Sequence, residues 1–293
     1  MTGTRAPVRT IRKATVFTHH RPEETADGIH ALVAAARGHG VELWFDSEET
    51  AKHELGRFAS DGVRANVDPT EEPDICIVLG GDGATLRALR RHARSDVPVF
   101  AVNYGRVGFL ATVDRGDLPQ ALDLALTGQF EVVKLPALGT DGSAEERFAI
   151  NEFSFQRRPH MNVTHLSYFL NGELMARAPC DGLIAATPAG STAYSLSVGG
   201  PIVAWGVEGF VVNLIAPHAL VSRAVVAAPE DVLRVANDGD EPIDLVIDGI
   251  RTGELPGGAD LQITFRADVV GLAQLPGSSF YRRFREKLLQ LTS

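Results

Sequence analysis

Ile75-Cys76-Ile77-Val78-Leu79-Gly80-Gly81-Asp82-Gly83-Ala84-Thr85 is an apolar run that breaks into glycines around a single aspartate. Ile75, Ile77, Val78 and Leu79 form a continuous rather than alternating hydrophobic stretch, the pattern of a strand buried on both faces of a parallel sheet. Such a strand must turn into a helix, and open α/β sheets take their ligands at that edge. Gly80, Gly81 and Gly83 open backbone angles closed to other residues and let a ligand approach the main chain. Asp82 is the only ionisable group of the turn. A carboxylate beside bare amides points to chemistry on a hydroxyl, or to a metal, next to a bound phosphate.

On either side of the turn, strand and helix alternate. Residues 14–18 read as a first strand, 23–38 as an Ala/Leu/Val-rich helix that stops at glycine, and 41–45 as a second strand. Residues 46–69 are more polar and read as a variable helix or loop. A helix over 84–94 and a buried strand over 97–102 follow, the strand ending in Asn103-Tyr104-Gly105-Arg106-Val107-Gly108-Phe109. The pattern predicts an α/β domain with a parallel sheet flanked by helices over residues 1–130.

Beyond Phe130 helical periodicity nearly vanishes. Short β-prone runs at 148–155, 163–170, 182–187, 210–216, 244–247 and 261–267 are separated mostly by Gly or Pro turns, predicting a β-rich domain over 131–267. In 279–291, Phe280, Phe284, Leu288 and Leu291 recur at helical spacing with Arg282, Arg283, Arg285 and Lys287 on the other side. This is an amphipathic closing helix, and 268–293 is expected to return to the first domain.

Composition sets the bounds. With 293 residues, 44% of them hydrophobic, the chain is long enough for two globular domains. A net charge of -9 argues against a general nucleic-acid binder but leaves room for a nucleotide ligand. Two cysteines, Cys76 and Cys180, exclude a disulfide framework and a cysteine zinc site. No apolar run is long enough to span a bilayer, and the basic N-terminal residues lack the apolar core of a secretory signal, so a cytoplasmic protein without membrane partners is expected. The first dozen residues are expected to be disordered.

Standard motifs are missing. The sequence has no Gly-x-x-x-x-Gly-Lys-Ser/Thr loop, no Gly-x-Gly-x-x-Gly after a strand, no Gly-x-Ser-x-Gly elbow and no His-Glu-x-x-His helix. The nine histidines are scattered and supply no metal-ligand spacing.

Further groupings have two readings each. Asn151-Glu152 can read hydroxyls and amino groups of a sugar or base, or be a strand-edge pair facing water. Asp181 to Pro201 runs from an apolar strand into Thr-Pro-Ala-Gly and then a crowd of hydroxyls at Ser191, Thr192, Tyr194, Ser195 and Ser197. A capped turn explains the hydroxyls almost as well as a ligand site at a helix start does. Asp248-Gly249 is a hairpin turn by default.

Taken in order, Gly80-Gly81-Asp82-Gly83, Asn103-x-Gly-Arg-x-Gly-Phe109, Asn151-Glu152 and Asp181-Gly-x-x-x-x-Thr-Pro-x-Gly-Ser-Thr-Ala-Tyr-Ser resemble NAD kinases over about three quarters of the chain. The resemblance implies phosphoryl transfer from ATP, another nucleoside triphosphate or polyphosphate to the 2′-hydroxyl of the adenosine ribose of NAD. It implies Asp82 as general base and Mg2+ bound mainly through the donor, with no protein metal site. It implies phosphate contact at Gly83 and Arg87, the latter with an exposed helix arginine as its bland alternative. Phe109 would lie beside the adenine-side ribose or base; Asn151 and Glu152 would hydrogen-bond the nicotinamide-side ribose or an adenine, depending on how NAD lies. Asp181, Thr192, Ala193, Tyr194 and Ser197 would continue the NAD cleft, Ala216 would approach through its backbone, and Asp248 would lie near the base. It also implies a homodimer or homotetramer with contacts from a neighbouring subunit. The glycine–aspartate turn alone is shared with lipid kinases and 6-phosphofructokinases, so a lipid or small-alcohol kinase and a non-catalytic NAD(P)-binding protein are the alternatives.

The sequence departs from the family at Ala84, where a threonine is usual, at Ala189, where a threonine is also usual, and at Ile250, where a glutamine commonly stands. The first two remove hydroxyls from the phosphate-side turns, so catalysis on NAD with a drifted donor preference or rate is expected.

Overall fold

The computed structural model describes residues 9–55, 62–68, 71–105, 108–140, 147–218 and 223–292, with side chains as far as 287. The chain forms two compact units, Met1–Lys134 with Val270–Ser293, and Leu135–Val269. The expected disorder of the N-terminus falls largely, and Arg106 and Val107 fall wholly, outside the described residues.

The first unit is built from β1 (Lys13–Thr18), α1 (Ala26–His39), β2 (Glu42–Trp44), α2 (Ser47–His53), β3 (Val63–Arg64), β4 (Ile75–Gly80), α3 (Asp82–Arg91), β5 (Pro98–Asn103), β6 (Val113–Asp114) and α4 (Leu118–Leu126). Strands β5, β4, β1, β2 and β3 pair in that order, all in parallel. Every residue of β4 and β5 is buried, which is why both read as unbroken apolar runs. Helix α1 buries Ile29, Leu32, Val33 and Ala36, a stripe at helical spacing. It continues past Gly38 to Gly40, whose φ of 67° supplies the left-handed cap. Helix α3 starts on Asp82, two residues earlier than the glycines suggested. Helix α4 escaped the sequence reading, although Leu118, Ala121, Leu122, Ala125 and Leu126 make an apolar face behind a proline in the first turn.

Strand β7 (Glu131–Thr140) carries the chain into the second unit, which holds β8 (Phe148–Ala149), β9 (Glu152–Gln156), β10 (Thr164–Leu170), β11 (Glu173–Cys180), β12 (Gly182–Ala186), the short helix α5 (Tyr194–Ser197), β13 (Phe210–Ile215), β14 (Val225–Ala227), β15 (Val232–Asn237), β16 (Ile243–Ile247), β17 (Ile250–Leu255) and most of β18 (Asp260–Gln274). One antiparallel sheet runs β14-β13-β12-β9-β16-β17; strands β11-β10-β15-β18 form another antiparallel set. Phe153, Phe155, Leu166, Leu183, Phe210, Leu233 and Leu245 belong to one buried core in this unit. The β10–β11 hairpin turns on Asn171-Gly172, with φ values of 51° and 85°.

Past Val269, β18 pairs in parallel with β5 in the first unit, and the chain ends in α6 (Phe280–Thr292). The polar side of this helix differs from expectation. Arg283 and Lys287 are buried, whereas Arg282 and Arg285 are exposed; Leu288 and Leu291 lie outside the described side chains.

Candidate functional site

In the first unit the site grows from the end of β4. Gly81 caps α3 and runs beside Gly105: a Cβ on Gly105 would stand 3.2 Å from the Gly81 Cα. Asn103 Oδ1 accepts the Gly105 N–H at 3.0 Å and shapes this second turn. The carboxylate of Asp82 then accepts three consecutive main-chain amides, Phe109 on Oδ2 at 2.8 Å and Leu110 and Ala111 on Oδ1 at 3.0 and 3.4 Å. A Cβ on Gly108 would reach 2.8 Å from Asp82 Oδ1, so the motif around Phe109 builds the cradle of this aspartate. Burial pushes the Asp82 carboxyl above its ordinary range, against the lowering effect of the three amides and of Lys287. A carboxylate offers about four acceptor positions. Among the described residues three are filled, which leaves Oδ2 able to accept one further hydrogen bond.

The surroundings of the turn are uneven. Gly83 is exposed, and a Cβ there would meet nothing. Thr85 is fully buried and donates to the Gly81 carbonyl at 3.0 Å, so its hydroxyl does not replace the one missing at Ala84. Arg87, expected to serve the phosphate turn, is held by other partners in this structure. Its guanidinium donates to Glu48 at 2.9 Å, Glu49 at 3.2 Å and the Thr18 carbonyl at 3.2 Å. No local pattern announces this knot, in which the almost fully buried Glu49 also accepts from Thr18 and Lys52. The Phe109 ring is buried and stacks on Phe284 of α6, with centroids 6.5 Å apart.

A second carboxylate repeats the device in the other unit. Asp248 accepts the amides of Ile150, Asn151 and Glu152 at 3.1, 2.7 and 3.2 Å. The hairpin reading of Asp248-Gly249 holds as well, since both residues have positive φ, 50° and 78°, between β16 and β17. Both groupings at this position are therefore one structure. Asn151 Oδ1 and Glu152 Oε2 are buried and have no hydrogen-bond partner among the described residues. The Glu152 carboxyl is pushed up to about 7 by burial and by the charge of Asp248, while the Tyr194 amide pulls it down.

The hydroxyl-rich turn is packed onto this pair. Thr187 donates to the Ile150 carbonyl at 2.5 Å, and the Thr187 N–H to the Asn151 carbonyl at 2.8 Å. A Cβ on Gly190 would lie 2.0 Å from that Asn151 oxygen. Ser191, Ser195 and Thr192 bond within the turn or to Val203, Asn213 and Ala189, so these hydroxyls have structural partners although neither short helix start carries a side-chain cap. Ala193 and Tyr194 are half-buried beside Glu152, and Ser197 is exposed.

Asp181 and Ala216 stand elsewhere. Asp181 donates its N–H to Ile215 at the start of β12, whereas Thr187 and Glu152 meet at its other end. At about 3.3 Å per residue the two groups are separated by roughly 20 Å. The Asp181 carboxylate is ion-paired with Arg157, and Ala216 is exposed with a φ of 44°.

Residues 18–130 match the ATP-NAD kinase N-terminal domain and residues 150–267 the ATP-NAD kinase C-terminal domain. An NAD kinase of Symbiobacterium thermophilum is 36% identical over 251 residues, covering 80% of this chain and 85% of that one. An NAD kinase of Rhodopirellula baltica is 33% identical over 224 residues, covering 74% and 72%. In fold, the chain is similar to yeast NADH kinase complexed with NADH, with a TM-score of 0.86 at 21% identity over 97% of this chain and 89% of that one. An Archaeoglobus fulgidus NAD kinase in complex with ATP gives a TM-score of 0.72 at 24% identity over 94% and 98%.

The two domain matches and the relatives are those of a phosphotransferase. By its two domain matches and its relatives, the chain belongs to the NAD kinase family.

Proposed function

We propose that Asp82 is the general base in phosphoryl transfer from ATP, or another triphosphate or polyphosphate, to the 2′-hydroxyl of the adenosine ribose of NAD. Oδ2 accepts the hydroxyl proton as the oxygen forms a bond to the terminal phosphorus and the bridging oxygen of the donor departs. The observation that carries this reading is the carboxylate at a helix start, immobilised by three main-chain amides and with one acceptor position left among the described residues. Fixing its geometry matters more than basicity, because an aspartate need take the proton only as the new bond forms. The open space over Gly83 suits a donor phosphate against the first amides of α3. Arg87, tied to Glu48 and Glu49, would need to leave them to reach that phosphate.

The first unit would take the donor and the second NAD. Asn151 and Glu152 present unpaired oxygens for ribose hydroxyls or an adenine amino group, held in place by Asp248. Thr192, Ala193, Tyr194 and Ser197 would line the same part of the second unit, and Phe109 of the first unit is proposed as an adenine-side contact. Among the described residues no three His, Cys, Asp or Glu side chains converge to hold a metal. Both Asp82 oxygens accept amides, so the residues suit Mg2+ held by the donor's phosphate oxygens. When bound, it offsets charge on the transferring group.

NADP formation from NAD with Mg2+ and ATP tests the reading, repeated with Asp82→Asn. Equal turnover in the variant removes Asp82 as base. A donor panel examines Ala84 and Ala189: ordinary rates with ATP and none with polyphosphate leave both alanines without consequence.

The roughly 20 Å between Asp181 and Glu152 supports a homo-oligomer in which Asp181 and Ala216 complete a neighbouring copy's site. Sedimentation and subunit mixing test this. Activity regained on mixing Asp82→Asn with Asp181→Ala subunits supports it, and a fully active monomer refutes it. No helix among the described residues is long and apolar enough to cross a membrane, and a cytoplasmic enzyme is the proposed setting.

A further inference from the structure

We infer that Arg283, on the C-terminal helix, is a positioning residue for Asp82, acting through the peptide group that joins Phe109 to Leu110. Arg283 donates from Nη1 to the Phe109 carbonyl at 2.9 Å. The N–H on the far side of that same planar peptide, that of Leu110, donates to Asp82 Oδ1 at 3.0 Å. A cation and a carboxylate thus sit at the two ends of one peptide dipole, an arrangement in which each hydrogen bond strengthens the other. The inference rests on the reading of Asp82 as the base.

The rest of α6 grips the same segment. Phe284 stacks on Phe109, and the buried Lys287 pairs with Asp114 at 3.6 Å. Packing alone would not select a guanidinium here. Arg283 is 8% exposed, and burying its charge is costly where an apolar residue would fill the same volume. Burial brings its guanidinium down to about 10, so it is still charged at neutral pH, with Asp82, Asp114 and Glu286 as the acidic groups around it. Among the described residues Lys287 also acts on Asp82, lowering its carboxyl.

The test is kcat, KM for NAD and the pH profile of kcat for Arg283→Met, Arg283→Lys and Phe284→Leu, with Asp82→Asn alongside. Arg283→Met should lower kcat about tenfold or more with KM for NAD within about twofold, and move the acidic limb to higher pH. Arg283→Lys should recover all but about threefold of kcat. Phe284→Leu, which disturbs only packing, should lower the melting temperature without moving the limb. An unchanged kcat and limb in a folded Arg283→Met, with Asp82→Asn inactive, overturns the inference alone. An active Asp82→Asn overturns the base assignment itself. If Arg283→Met does not fold, Arg283→Gln, which keeps a donor but not the charge, decides: a lowered kcat with a shifted limb supports the role, and wild-type values refute it.

Discussion

Glu152 should make the protein lose stability as the solution becomes neutral. Its side chain is buried, and its carboxyl lies at about 7 instead of the ordinary 4.5, first because of burial and then because of the charge on Asp248. A raised carboxyl binds its proton more tightly in the folded than in the unfolded chain. Its contribution to stability is therefore complete below the unfolded value near 4.5 and is lost as pH rises to about 7. The gap corresponds to about 3 kcal/mol, at 1.36 kcal/mol per pH unit. Glu152→Gln keeps the shape and an acceptor for the Tyr194 amide but cannot ionise. Urea unfolding at pH 5, 6, 7 and 8 should show the wild type falling relative to this variant by that order, with the difference saturating near pH 7 to 8. Asp82 contributes a fall in the same direction, but it is common to both proteins and cancels in the comparison. NAD that hydrogen-bonds the carboxylate should displace its proton, giving a heat of binding near pH 6.5 that depends on the buffer's ionisation enthalpy. Parallel stability curves for the two proteins, or a buffer-independent heat, would refute the reasoning.

Asp248→Asn keeps a side chain tolerant of positive φ but removes a charge and weakens the hold on Ile150, Asn151 and Glu152; stability should fall by about 1–3 kcal/mol, measured by urea unfolding, and NAD affinity with it. Gly190→Ala drives a Cβ toward the Asn151 carbonyl, 2.0 Å away, and should cost more than about 2 kcal/mol while weakening NAD binding, readable by thermal melting and titration. Cys76 and Cys180 are buried with thiols pushed up to about 12 and about 11, so neither should react with iodoacetamide at pH 8 until denaturant is added.

What the sequence disclosed depended on range. Strand β4 and its turn were legible because burial on both faces writes a continuous apolar run and the glycines mark the turn that follows. Strand β11 was hidden because Glu173, Leu174 and Met175 are exposed, although Asn171-Gly172 announced its hairpin. Asp248 was legible as a turn but not as a clamp, since the amides it holds lie about a hundred residues earlier and no local pattern joins them. Arg283 failed for the opposite reason. Helical periodicity assigns arginine to the wet face, yet Arg283 is buried against the Phe109 carbonyl, and only tertiary structure supplies that acceptor. The partners of Arg87, Glu48 and Glu49, come from a polar stretch with no local signal that joins it to the glycine turn.

The two cradled aspartates also say something about how this protein can drift over generations. Residues 109–111 and 150–152 grip their carboxylates with N–H groups that every amino acid but proline carries. At Leu110 and Ala111, swaps that respect volume leave the grip intact, and a saturation library should therefore be nearly blank for proline there while admitting other small or aliphatic residues. Selection on these segments acts on the shape of the main chain and hardly on the letters that encode it.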